Sequence, residues 1–156
     1  MRILFLDVDG VLNSHDYLGR SEALAEGDPY KYIERDKLAI LQELVYGYDF
    51  KVVLHSTWKN LFDERLVPVN KLGKALLQAL ADFDIVLFDK TLTVDYERQL
   101  EIVAWLKAHA TLPIENYIII DDAKIDWQEL RPHVIQTNEW YGLTREDARQ
   151  VSDIIG

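Results

Sequence analysis

Cysteine is absent from the 156-residue chain, and that one absence removes disulfides, thiolate metal sites and cysteine nucleophiles together. Basic residues are scarce beside acidic ones: 17 lysines and arginines face 27 aspartates and glutamates, a formal charge of −10. Such a balance opposes strong non-specific nucleic-acid binding, in which cationic side chains displace counterions from phosphates. A phosphate-bearing ligand is therefore expected to be met through a bound cation. Long apolar runs are missing too. No stretch approaches the roughly 18 residues of a membrane span, and the first run is cut by Asp7, too early for a secretory signal. These absences predict a soluble, cytoplasmic protein without membrane partners. Repeats, low-complexity tracts and linkers are also lacking, so residues 1–156 read as a single domain.

What is present is a rhythm of short apolar runs: "RILFLD" (2–7), "FKVVLH" (50–55), "DIVLFD" (84–89), "YIIID" (117–121) and "HVIQT" (133–137). Their β-branched and aromatic residues suit strands buried on both faces. Between them, residues 36–48, 69–83 and 97–110 place apolar side chains at helical intervals, Leu38, Leu41, Leu44 and Val45 in the first. A last helical segment, 144–155, opens on Thr144 as an N-cap. Residues 13–35 are the least periodic and read as a loop or small flap. Alternating strands and helices imply parallel pairing through right-handed crossovers. The expected fold is α/β, a three-layer α/β/α Rossmann-like sandwich with a parallel sheet of about five strands in the order 3-2-1-4-5.

Reactive crevices of such sheets lie beyond the carboxyl ends of the strands. The polar residues there are Asp7 and Asp9, Ser56 to Lys59, Asp89 to Thr91, Asp121 and Asp122, and Thr137 and Asn138. Four carboxylates converging from two neighbouring strands repel unless a hard cation joins them. Magnesium suits that all-oxygen set, the more so with no thiolate available. In extended chain, Asp7 and Asp9 face one side while Val8 faces the other. Gly10 then lets the backbone turn and present amides to an anion. One carboxylate of such a pair can attack phosphorus while the other donates and later recovers a proton.

These residues resemble the haloacid dehalogenase (HAD) superfamily in its phosphatase branch. "DVDGVLN" is similar to the first motif, "VVLHSTW" to the second and "YIIIDD" to the fourth. The resemblance implies Asp7 as nucleophile, Asp9 as general acid and base, Ser56 (with Thr57 beside it) on the phosphoryl oxygens, and a magnesium site. Asp7, Asp121, Asp122 and Asp9, the last through its backbone carbonyl, would supply that site. The basic residue of the third motif has two candidates, Arg98 and Lys90, of which Arg98 stands in the expected place. "ERQLEIVAWL" and "HVIQTNEWYGLT" look like the small, capless HAD domains of bacterial, phage and RNA-repair proteins.

The resemblance thus implies a magnesium-dependent phosphomonoesterase working through an aspartyl-phosphate, on a small molecule or on a 3′ or 5′ nucleic-acid end. A calcium loop fits poorly, because Gly10 comes fourth rather than sixth. A receiver-like phosphoryl acceptor fits poorly too, because the acidic pair closes the fourth run instead of the first. Ser56, Thr57 and the Asp121-Asp122 pair could each be no more than helix caps. Trp58 reads as core, and His15 and Trp140-Tyr141 lie near the expected crevice.

Overall fold

In the computed structural model, which describes residues 1–156, the five apolar runs pair side by side as parallel strands. They are β1 (Arg2–Leu6), β2 (Phe50–Leu54), β3 (Leu87–Lys90), β4 (Asn116–Asp121) and β5 (Val134–Gln136), in the order 3-2-1-4-5. The register sets Leu6 against Leu54 on one side and Ile120 on the other. The helices are α1 (His15–Arg20), α2 (Arg35–Tyr48), α3 (Lys71–Asp82), α4 (Arg98–Ala108), α5 (Arg145–Arg149) and α6 (Val151–Ile155).

Alternation along the strands builds two cores. Leu4, Leu6, Val52, Leu54, Ile118 and Ile120 pack with Leu38 and Leu41 of α2, Leu76 and Leu80 of α3, and Val151 of α6. Ile3, Phe5, Val53 and Ile119 face the opposite side, against Ile102 and Trp105 of α4 and Leu130 of a 3-10 turn over residues 128–133. Each wholly buried leucine or isoleucine contributes about 1.5–3 kcal/mol, so neither helical layer is optional. No helix is long and apolar enough to cross a membrane.

Two expectations about elements are corrected and a third gains detail. The third strand begins at Leu87, not at 84. Asp84 sits at φ 57° and Ile85 N–H bonds Leu80 O, so these residues finish the turn that ends α3. The last helix divides at Gln150, where N–H groups bond three residues back instead of four. Residues 13–35, read as a loop or small flap, carry one short helix. Ser14 caps α1 through its side chain, and Tyr30 and Ile33 are buried in the larger core. The Ser21 hydroxyl donates to Lys31 O at 2.6 Å and Tyr17 donates to Tyr30 O, closing the segment on itself.

Candidate active site

The site begins where β1 stops. Asp7 N–H donates to Ile120 O, continuing the β1–β4 pairing one residue beyond the strand, and this sets Asp7 beside Asp121 at the end of β4. Both are odd-numbered like Phe5 and Ile119, so both turn to the face covered by α4. Arg98 is the first residue of α4, and its guanidinium lies 2.7 Å from Asp121 Oδ2 and 3.5 Å from Asp7 Oδ1. Asp122, on the turn that follows, completes a cluster in which one carboxylate oxygen from each residue lies within 4.8 Å of the others.

Gly10 makes room for that cluster. It holds φ +76°, and a Cβ there would fall 2.1 Å from Asp122 Oδ2. Glycine is required by both conformation and space.

Burying like charges this closely is costly. Desolvation, then the neighbouring Asp121, pushes the Asp7 carboxyl up to about 9, against the opposing pull of Arg98. Asp121 is raised by the same burial, with Arg98 and the Ala123 N–H pulling it back. Asp121 has both oxygens engaged, by Ala123 N–H at 2.8 Å and by Arg98. Asp7 Oδ2 is buried and has no partner at all. A three-carboxylate, all-oxygen cluster with one orphaned oxygen fits a hard divalent cation with waters in its shell.

Ser56 follows β2 and caps a 3-10 turn over residues 57–61, its Oγ accepting from Trp58 N–H at 3.2 Å. The capping role uses a lone pair and leaves the hydroxyl proton free to donate. Thr57 is exposed at the start of that turn.

Three predicted site residues are placed otherwise than expected. Gly10 N–H does not face an anion but donates to Asn13 Oδ1 at 2.9 Å, because the left-handed turn folds the amide back into its own loop. The Lys90 ammonium donates to Lys59 O and Phe62 O, closing the turn after β2, and only Arg98 comes to the acidic cluster. The Asp9 carboxylate stands outside the three-carboxylate cluster. The chain leaves the sheet after Leu6, so strand alternation no longer orients Asp9. Its side chain is exposed, with Oδ1 accepting from Asn13 Nδ2 at 3.0 Å and Oδ2 from Trp58 Nε1 at 3.1 Å. Its backbone carbonyl accepts no hydrogen bond from the chain and is open to a ligand role.

Over residues 3–148 the sequence matches the family described as the HAD domain in Swiss Army Knife RNA repair proteins. The chain belongs to this family. Membership supports a hydrolase of the HAD type. No curated protein and no solved structure matches the chain significantly.

This HAD domain also holds two polar residues that sequence reasoning passed over, His55 and Glu101, beside Lys59 and Thr91. A cavity of about 280 Å³ adjoins Ser56 and Arg98, and its other walls include His55, Lys59 and Glu101. Lys59 Nζ donates to both oxygens of Glu101 at 2.9 Å and approaches Thr91 Oγ1 at 3.3 Å. Thr91 Oγ1 in turn lies 3.0 Å from His55 Nδ1. Burial, with Arg98 and Lys59 nearby, lowers His55 to about 3, so the imidazole is neutral. Since Lys59 can only donate to Thr91, the threonine hydroxyl is free to donate to Nδ1. A signal for this network was present in α4. Arg98, Glu101 and Trp105 recur at helical spacing, so an acid stands on the face that otherwise meets the sheet.

Proposed function

We propose that the protein is a magnesium-dependent phosphomonoesterase that forms an aspartyl-phosphate, an acyl phosphate, on Asp7. The observation that supports this most is the Asp7 carboxylate itself. It is buried, has one oxygen unpartnered, and meets Asp121, Asp122 and Arg98 within a few ångströms. Asp7, Asp121, Asp122 and the Asp9 carbonyl would hold the cation, which when bound neutralises the cluster and polarises a phosphoryl oxygen.

The chain's own groups supply the rest. Asp7 attacks phosphorus in line, while the ester oxygen departs with a proton from Asp9. The Ser56 hydroxyl donates to a phosphoryl oxygen, and Arg98 offers a planar, permanently charged fork to the equatorial oxygens. Thr57 lies at the rim of the same turn as a further donor. In the second half, Asp9 takes a proton from the water that releases phosphate from Asp7.

The assay is hydrolysis of p-nitrophenyl phosphate with and without magnesium. Asp7→Asn is expected to abolish turnover, and EDTA to do the same to wild-type protein. Retained hydrolysis by pure Asp7→Asn protein would falsify the mechanism.

A second reading narrows the substrate to a phosphorylated nucleic-acid end. Two observations favour it: the family's description, and the exposed Trp140 and Tyr141. Those aromatics lie in a turn that the His15 N–H bond to Glu139 O and the Leu143 N–H bond to Val11 O tie to the first-motif loop. A flat base can stack there. Comparing 3′- and 5′-phosphorylated oligonucleotides with mononucleotides and sugar phosphates decides it. Equal kcat/KM across that panel would remove this reading and leave the first intact.

A further inference from the structure

Trp58 is buried, as a core tryptophan would be, yet its one polar group is spent on an exposed aspartate. The indole N–H donates to Asp9 Oδ2 at 3.1 Å, across 49 positions of sequence. The other carboxylate oxygen is taken by Asn13 Nδ2 at 3.0 Å. Asn13 is itself fully committed: its Oδ1 accepts from Gly10 N–H at 2.9 Å, and Nδ2 also donates to Tyr32 O at 2.9 Å. Those partners fix which end of the amide is which. A flipped Asn13 would set carbonyl against carbonyl at Tyr32 and amide against amide at Gly10. Asp9 is thus gripped from two directions, by a rigid indole and by an amide whose orientation cannot reverse.

The residue has a second attachment, through its backbone amide. Trp58 N–H donates to Ser56 Oγ at 3.2 Å, so one short turn carries both the hydroxyl aimed at the phosphoryl group and the donor that holds Asp9. The spacing between proton donor and phosphate-binding hydroxyl is set by a single residue.

We infer that Trp58 is a positioning residue for Asp9, with Asn13 as its counterpart on the other oxygen. This rests on the phosphomonoesterase reading above. In the step concerned, an Asp7 oxygen forms its bond to phosphorus as the bond from phosphorus to the ester oxygen breaks. The Asp9 carboxyl proton passes to that ester oxygen, which leaves as a neutral alcohol, and Asp9 is left as the carboxylate. Proton transfer of this kind demands hydrogen-bond reach, so an Asp9 free to rotate loses its effect although its chemistry is unchanged.

The test is Trp58→Phe, which keeps an aromatic ring and removes the N–H. Its kcat/KM is measured on two magnesium-supplemented substrates, glycerol phosphate and p-nitrophenyl phosphate. The alkoxide leaves poorly without a proton, whereas p-nitrophenolate does not need one. The expected result is a fall of about 10- to 100-fold on the alkyl ester, a fraction of the usual general-acid effect, and under about threefold on the aryl ester. In an Asp9→Asn background the same substitution is expected to cost the alkyl ester nothing further. Equal losses on both esters, or a full loss repeated in the Asp9→Asn background, would assign Trp58 to packing alone and overturn the inference. The indole N–H resonance in a ¹H–¹⁵N spectrum gives a readout that does not depend on turnover. It is expected to move in Asp9→Asn protein, and an unmoved resonance refutes the contact. Failure of the phosphatase reading has its own signature, activity that survives Asp7→Asn.

Discussion

Asp7 is the group whose ionisation the fold opposes most strongly, and its proton should be visible in the stability of the protein. Burial first, then Asp121, lifts its carboxyl from 3.8 to about 9. Without a cation, the folded state keeps a proton there between about pH 4 and about pH 9 that the unfolded chain has already released. Unfolding then releases that proton, so raising the pH favours unfolding throughout this window. The stability tied to the protonated group is complete below the lower limit and is lost as pH rises through the upper one. Each pH unit inside the window is worth about 1.4 kcal/mol, so between the ordinary value of 3.8 and neutrality the loss is on the order of 4 kcal/mol.

Asp7→Asn has nearly the same shape and no proton to release. In EDTA at pH 7 it should be the more stable protein, and at about pH 4 the two should melt together. For a chain near 150 residues, 1 kcal/mol moves the melting temperature by about 2–4 °C, so the gap at neutrality is about 8–16 °C. The four tryptophans make intrinsic fluorescence a convenient probe, and calorimetry can check it. Magnesium should narrow the gap from the other side. A cation at about 100 times its dissociation constant adds about 2.7 kcal/mol to wild-type stability and far less to Asp7→Asn. Parallel melting curves for the two proteins from pH 4 to pH 8 in EDTA, or a variant that melts lower throughout, would refute this account of the cluster.

Three further substitutions probe the surroundings. Gly10→Ala places a Cβ 2.1 Å from Asp122 Oδ2 at φ +76°. It should cost about 1–2 kcal/mol from the left-handed backbone alone and weaken magnesium uptake at least about tenfold by calorimetric titration; unchanged uptake would mean Asp122 is not needed at the cation. Glu101→Gln strips the buried Lys59 ammonium of its counter-charge and should cost about 3–5 kcal/mol in urea denaturation. Glu43→Gln, at the exposed pair with Arg145, should cost less than about 1 kcal/mol, and similar losses at both sites would contradict the burial argument.

How much of the site could be read in advance depended on where each residue stood relative to a strand. Asp7 and Asp121 were legible because they end apolar runs that a parallel sheet must place side by side. Arg98 was legible as a base at the start of the following helix. Lys90, at the end of β3, stands as the second candidate for that role, since nothing local shows that its ammonium closes the turn after β2. The start of β3 was misplaced because Ile85 and Val86 are as apolar as the strand that follows. A positive φ at Asp84 is a backbone state that hydropathy does not register.

Sequence by itself determined the order of elements, the parallel sheet and the delivery of acids to one edge, because apolar periodicity and burial act locally and repeat. Tertiary structure alone decided that Asp9 turns from the acidic cluster to Trp58 and Asn13, and that Lys59 is neutralised by Glu101. The reason is physical. A hydrogen bond or a buried ion pair selects its partner by distance in space, and between segments far apart in the chain that distance exists only once the sheet has brought them together.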